Sequence, residues 1–159
     1  QGIREMVRVC LVREQTGWML DLLGDPATTG AVIVASPEEM PVNETIEFER
    51  ALREELAMAV DHVVVNAVHP ARFSGDEARA VADAAARAGG SASGRATGAV
   101  PAALAAALSE HRRALGEHSQ VRRLRRAVAA PVATLPRVFR PELAREGLGR
   151  LSAELERRL

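Results

Sequence analysis

The 159-residue chain contains no lysine and no tyrosine, and all 21 of its basic residues are arginines. A phosphate-binding P-loop needs a lysine to reach the β and γ phosphates of a nucleotide, so these residues cannot form one. The single cysteine, Cys10, excludes an internal disulfide and a CxxC zinc pair, and it is typical of a reducing compartment. No apolar run approaches the length of a membrane span, and the first residues lack a signal-peptide pattern. These absences predict a cytoplasmic location.

The charge is balanced, with 21 acidic and 21 basic residues. A net charge of zero creates no overall field that favours nucleic acid or an anionic membrane, and we expect no nucleic-acid partner. The chain is 47% hydrophobic and 26% charged, which is typical of a globular domain with one core. Because position 1 is glutamine and a lysine-bearing phosphate loop is missing, we expect this chain to be part of a longer protein.

Residues 30–70 have the pattern of a strand, a helix and a second strand. The apolar, β-branched runs at 31–35 and 63–65 predict buried strands. A crossover of this kind joins parallel strands, so Asn66 should lie at the carboxyl edge of the sheet, where open α/β sheets bind ligands.

The helix between these strands is predicted in two parts. Residues 36–39, Ser-Pro-Glu-Glu, have the form of a capping box, Pro41 should end that first turn, and Asn43 should cap a new helix. The apolar positions 48, 51, 52 and 56 are predicted to face the sheet, while Glu49 and its charged neighbours face water.

The rest of the chain is predicted to be mainly helical. Helices are expected at 3–23, with an interruption at 16–17, and at 75–88, 101–129 and 141–159, with a third strand at 132–135 and a flexible linker at 89–98. The predicted fold class is α/β and helix-rich, with a partial P-loop-NTPase-like parallel sheet of about three strands flanked by helices. Residues 1–23 would form a helical segment, and residues 24–159 the carboxyl-terminal part of an α/β domain.

No catalytic or metal-binding pattern is visible. The four histidines lack metal-ligand spacing and are interpreted as surface residues: His62, His69, His111 and His118. Cys10 has no necessary histidine partner, and no GxSxG or GxGxxG motif is present. We therefore predict no catalytic residue and no metal ligand. Asn66 and the turn at Pro136 remain as binding candidates, because a carboxamide matches the N6 and N7 edge of adenine and a proline ring packs on a base.

Several segments resemble one family. They are Asp25-Pro26 leading through Thr28-Thr29, then Pro37-Glu38, Asn43-Glu44-Thr45, the strand end VVVNAV and the turn TLPRVF. Their order is similar to the arsenical pump-driving ATPases and the related P-loop ATPases that target tail-anchored membrane proteins. The likeness covers 25–68 well and 132–159 loosely.

The resemblance implies that Asn66 and Pro136 form an adenine pocket, with Leu135 and Arg137 beside it, and that the cofactors are ATP and Mg²⁺. It also implies a homodimer and a membrane-protein client or a transporter as partner. The family's phosphate loop and magnesium ligands lie upstream of the matched part. Its CxxC pair is replaced here by an alanine-rich helix and the linker, so we do not expect a zinc-clamped dimer.

Three hypotheses follow. The first is the carboxyl-terminal portion of a cytosolic ATPase, which is inactive alone and supplies the adenine-binding side of the nucleotide site. The second is a non-enzymatic interaction module that uses the helix 101–129 with its arginine cluster at 121–126. The third is part of a different nucleotide-binding α/β enzyme.

Overall fold

The computed structural model describes residues 10–89, 98–139 and 145–158. These ranges contain five helices and three strands. The helices are α1 (Cys10–Gly24), α2 (Glu39–Glu55), α3 (Gly75–Gly89), α4 (Ala99–Ala127) and α5 (Arg145–Glu156). The strands are β1 (Ala31–Ala35), β2 (Val60–Val68) and β3 (Val132–Pro136). The predicted helix-rich α/β fold with a three-stranded sheet is confirmed.

The sheet has the order β1-β2-β3, and both strand pairs are parallel, as the sequence predicts. Val63 of the central strand pairs with Ile33 on one side and with Val132 on the other. Because the strands are parallel, their carboxyl ends meet at one edge of the sheet. The chain leaves this edge at Ser36, His69 and Arg137.

Helices α2 and α4 cover one face of this sheet and form the core with it. The buried cluster combines Val63, Val65 and Val68 of β2 with Val42 and Leu52 of α2 and Val121 and Leu124 of α4. The buried positions of the two helices have the same 3-4-3 spacing, which places one stripe of each helix on the sheet. These positions are Val42, Thr45, Glu49 and Leu52 in α2, and Ala114, Glu117, Val121 and Leu124 in α4. Each buried stripe therefore contains one glutamate.

The other face of β1 is open. Val32 and Val34 are 53% and 65% exposed, although both belong to a strand of five apolar residues. Helix α1 also presents apolar side chains to solvent, among them Trp18, which is 66% exposed.

Helix α2 differs from its prediction in two ways: it has no capping box, and it is not divided at Pro41. It begins at Glu39 after Glu38, which makes no side-chain capping bond, so the predicted capping box at Ser36 is wrong. The helix continues through Pro41 and Asn43 without a break. Pro41 is accommodated because it lies in the first turn, where backbone N–H groups have no partner within the helix. Asn43 is not a cap, because its Oδ1 accepts a hydrogen bond from Arg123 of α4.

The predicted sheet-facing stripe of α2 is also displaced. Phe48 and Leu56 are 54% and 58% exposed, whereas Glu49 is buried and pairs with Arg53 at 3.3 Å. Leu52 is buried as predicted. The buried stripe of α2 includes Thr45 and Glu49. Because these two residues are polar, a search for apolar spacing does not find this stripe.

The predicted bounds of the other elements agree more closely with the structure. Helix α1 is not interrupted at 16–17, but it ends at Gly24 as predicted, and the Asp25 side chain then accepts a hydrogen bond from the backbone N–H of Ala27 at 3.0 Å. Helices α3 and α4 and strand β3 confirm their predictions within a few residues. Residues 90–97 of the linker predicted at 89–98, and the predicted helix start at 141, lie outside the described residues.

A capping box does form, at the start of α3. The Oγ of Ser74 accepts the backbone N–H of Glu77 at 3.3 Å, and the Oε2 of Glu77 accepts the backbone N–H of Ser74 at 2.8 Å. The backbone hydrogen bond from Ser74 is the main cause that lowers the pKa of Glu77 below its ordinary value of 4.5.

We expect Ser74→Ala to lower the free energy of unfolding by roughly 1 kcal/mol, because one helix-terminal N–H loses its acceptor. Urea unfolding followed by circular dichroism measures this change. Since folding lowers the pKa of Glu77, its contribution is present above the pKa of the unfolded chain and is lost as the pH falls through the folded value. Ser109→Ala, at an exposed serine within α4, is the matched control and should not destabilise the protein. Equal effects of the two substitutions would contradict the capping role.

Candidate functional site

The tip of β2 has an irregular backbone. The pairing register with β3 shifts between Val65 and Val68, and between them Ala67 has a φ of 59°. This left-handed conformation is uncommon for a residue with a Cβ and persists only where the surrounding structure holds it. Asn66 precedes it within the strand and is exposed. The irregularity therefore lies beside the asparagine predicted to bind a ligand.

Pro136 lies on the neighbouring strand at the same edge. It is the last residue of β3, it is exposed, and it pairs with Val68. The backbone N–H of Arg137 donates to the carbonyl oxygen of Val68 at 2.9 Å. Leu135 is half-buried within β3, and Arg137 is exposed. Pro136 thus pairs with the residue two positions after Asn66, so both lie at the carboxyl edge of the sheet on neighbouring strands.

A cleft of about 810 Å³ opens beyond β3, between the segment that follows this strand and α5. We call it the β3–α5 cleft. Its walls include Pro136, Arg137, Phe139, Gly147, Leu151 and Glu154. Its volume lies in the range of small-molecule sites, roughly 300–1,000 Å³. Pro136 and Arg137 are brought to this cleft, whereas Asn66 and Leu135 are not among its walls.

Arginine 158 fixes α5 to the sheet beside this cleft. Its Nη1 donates to the Oγ1 of Thr134 in β3 at 3.0 Å, and its Nε donates to Glu154 at 2.6 Å. The hydrogen bond from Arg158 is the largest cause that lowers the pKa of Glu154. The cleft wall therefore carries a carboxylate that accepts a hydrogen bond from an arginine.

A second crevice, of about 500 Å³, lies at the same edge between the start of α2, the tip of β2 and α4. We call it the α2–α4 crevice. Its walls include Ser36, Ala67, His69, Arg113, Glu117 and Gln120, and Arg137 lines this crevice as well as the cleft. Gln120 Oε1 is buried and has no hydrogen-bond partner within the described residues.

His69 and Glu117 form a buried pair between β2 and α4. The side chains are 6% and 8% exposed, and His69 Nδ1 lies 2.7 Å from Glu117 Oε1. The backbone N–H of His69 donates to Glu117 Oε2 at 2.8 Å. The interpretation of His69 as a surface residue is therefore wrong, because α4 packs over the end of β2 and covers the imidazole.

Two further contacts surround His69. Its carbonyl oxygen lies 3.0 Å from Nε2 of His118, the residue after Glu117. Phe139 packs edge-on against its ring with centroids 5.5 Å apart, and the guanidinium of Arg72 lies 4.9 Å from the centre of the Phe139 ring. The segments that follow β2 and β3 are thereby packed together.

Glu117 is not among the site residues predicted from the sequence. A signal was present, because Glu117 falls between Ala114 and Val121 on the buried stripe of α4. A carboxylate at such a position is rarely buried without a partner. The signal predicts that a partner exists, but it does not indicate which of the four histidines or 21 arginines it is.

Within residues 10–89, 98–139 and 145–158, no group of three or more histidine, cysteine, aspartate or glutamate side chains is arranged to hold a metal ion. The helices of this described part do not include one long and apolar enough to cross a membrane.

The fold and the site define an α/β protein with a ligand-sized cleft at the carboxyl edge of a parallel sheet. Comparisons with protein-family models and with curated proteins find no match for the chain.

Proposed function

We propose that this chain is the carboxyl-terminal portion of a cytosolic ATPase similar to the arsenical pump-driving family, and that it forms the adenine-binding side of the nucleotide site. The observation that supports this most directly is the position of Asn66 and Pro136. Both are exposed, on neighbouring parallel strands, at the sheet edge where such folds bind ligands. The β3–α5 cleft beside Pro136 has room for a base and a sugar.

In this proposal each side chain has a distinct task. The carboxamide of Asn66 supplies one donor and one acceptor for the N6 and N7 edge of adenine. The ring of Pro136 packs against the flat face of the base, and Arg137, which is exposed and lines the cleft, contacts the ligand beside it.

The phosphates and the metal ion belong to residues outside this chain. The described residues do not offer a Mg²⁺ ligand set, and the chain has no lysine for a phosphate loop. Hydrolysis in the family is an attack of water on the γ phosphate, so in this proposal it depends on upstream sequence. The pairing of subunits and a membrane-protein client or transporter partner are also part of the proposal.

We expect Asn66→Ala to weaken ADP binding by about 1–3 kcal/mol, because a bidentate contact to adenine is lost. The measurement is isothermal titration of ADP into the protein that carries this chain together with its upstream sequence. Asn43→Ala is the matched control, because Asn43 contacts Arg123 and lines neither the β3–α5 cleft nor the α2–α4 crevice.

Two results would contradict the proposal. One is an ADP affinity that Asn66→Ala leaves unchanged. The other is a magnesium-dependent ATPase rate from residues 1–159 alone that is lost on Asn66→Ala, because hydrolysis would then not depend on upstream sequence. An upstream sequence without a strand followed by a glycine-rich, lysine-bearing loop would favour a different nucleotide-binding enzyme.

The exposed arginines of α4 support a second candidate function, a non-enzymatic interaction module. Arg122, Arg125 and Arg126 are exposed in the last two turns of this helix. A basic helix face of this kind can bind an acidic partner. Indifference of the complete protein to adenine nucleotides, combined with loss of a partner on replacing these arginines, would favour this function.

A further inference from the structure

Three of the four polar groups of His69 are bound by two consecutive residues of α4. Glu117 receives the backbone N–H and the ring Nδ1, and His118 Nε2 lies 3.0 Å from the carbonyl oxygen. A carboxylate and a carbonyl oxygen only accept hydrogen bonds, so His69 Nδ1 and His118 Nε2 carry the protons. The first residue after β2 is therefore fixed in both position and orientation by α4.

This attachment lies next to the irregular strand tip. Ala67, with its left-handed backbone, is two residues before His69, and the carbonyl oxygen of the intervening Val68 accepts the N–H of Arg137. A strained conformation of this kind needs contacts that hold it from outside the strand. Direct contacts thus run from α4 through His69 and Val68 to Arg137, with Asn66 and Pro136 on either side.

The segment after β3 also rests on His69. Phe139, a wall of the β3–α5 cleft, packs on the His69 ring and lies under Arg72. Arg72 in turn pairs with Glu110 of α4 through Nε and Oε1 at 2.9 Å. The segments that follow the two strands carrying the proposed base-binding residues therefore meet at one histidine.

We propose that Glu117 and His118 are positioning residues for base recognition. By holding His69 they keep Asn66 and Pro136 oriented towards one ligand, and a shift of α4 changes the affinity for the base. This inference rests on the proposed nucleotide function. Glu117 and His118 act through His69, not through contact with the base.

The test compares two substitutions at position 118 in the protein with its upstream sequence. We expect His118→Ala to raise the Kd for ADP about tenfold, a typical size for coupling between neighbouring sites. His118→Gln should stay within about twofold of the unchanged protein, because its side-chain amide can donate to the same carbonyl oxygen. Glu117→Gln should weaken ADP binding, because one of its two acceptor oxygens is replaced, whereas the same change at Glu47, which is exposed on α2, should not.

Two further readouts separate positioning from general damage. Tripolyphosphate, which lacks a base, should bind equally to all variants. Without nucleotide, hydrogen exchange at the backbone amides of His69 and Arg137 should become at least about tenfold faster in His118→Ala, while the amide of Val63 within β2 stays protected.

The outcomes distinguish this inference from the function on which it rests. If Asn66→Ala weakens ADP binding but His118→Ala and Glu117→Gln do not, the positioning role is overturned and the nucleotide site stands. Equal losses for ADP and tripolyphosphate would also overturn it, because they indicate general damage. If the unchanged protein does not bind ADP, the proposed function fails and the positioning role fails with it, whatever the exchange rates show.

Discussion

Glu117→Ala is expected to lower the free energy of unfolding by roughly 3–5 kcal/mol, the usual effect of removing one member of a buried, hydrogen-bonded pair. The carboxylate of Glu117 accepts two hydrogen bonds from His69, and both side chains are more than nine-tenths buried. Alanine would leave a buried N–H and a buried imidazole without an acceptor, and each unpaired group costs free energy. Urea unfolding at neutral pH measures the loss.

A double substitution separates the contribution of the hydrogen bonds between His69 and Glu117 from that of side-chain packing. Replacing both partners, in the variant Glu117→Leu with His69→Leu, should be less damaging than Glu117→Ala, because only the backbone N–H of residue 69 then lacks its acceptor, whereas Glu117→Ala also leaves the imidazole unpaired. Glu110→Ala is the matched control on the same helix, where the carboxylate pairs with a half-exposed Arg72. It should cost less than about 1 kcal/mol. A loss from Glu117→Ala as small as this control would show that the pair does not hold α4 to the sheet.

Leu124→Ala should destabilise the protein by roughly 2–5 kcal/mol. Leu124 is fully buried and belongs to the cluster that α2, α4 and β2 share. Its removal creates a cavity at the centre of the covered face of the sheet, and the surrounding strand and helices can only partly close it.

Leu115 on the same helix provides the comparison, because its side chain is 55% exposed. Thermal and urea unfolding of the two variants should differ by at least about 1.5 kcal/mol, since only the buried side chain leaves a cavity. Similar losses at the two positions would mean that α4 does not face the sheet through the stripe that contains Leu124.

The sheet was predictable from sequence because its strands are short apolar, β-branched runs, and the parallel arrangement follows from the helices between them. The length of β2 was not predictable in this way, because the strand reaches from Val60 to Val68 and includes the polar residues Asp61 and Asn66. The prediction of which face of α2 is buried was wrong for a related reason. Thr45 and Glu49 occupy buried positions, so the apolar residues alone indicated the wrong face of the helix.

The candidate site divides in the same way. That Asn66 and Pro136 lie at the same edge follows from the parallel arrangement of the strands, which the sequence predicts, whereas the adjacency of β2 and β3 is known only from the fold. The burial of His69 depends on where α4 crosses β2, and no local pattern contains that information. The partner of Glu117 could be identified only from the fold.

The contact between His69 and Glu117 also joins residues 48 positions apart in the chain. Such a contact cannot form until α4 has docked across the end of β2, because the intervening chain must first lose the entropy of closing a long loop. We therefore expect the pair to form late in folding. Substitutions at His69 or Glu117 should mainly increase the unfolding rate and leave the folding rate nearly unchanged. The pair would then lengthen the lifetime of the folded state without making folding faster.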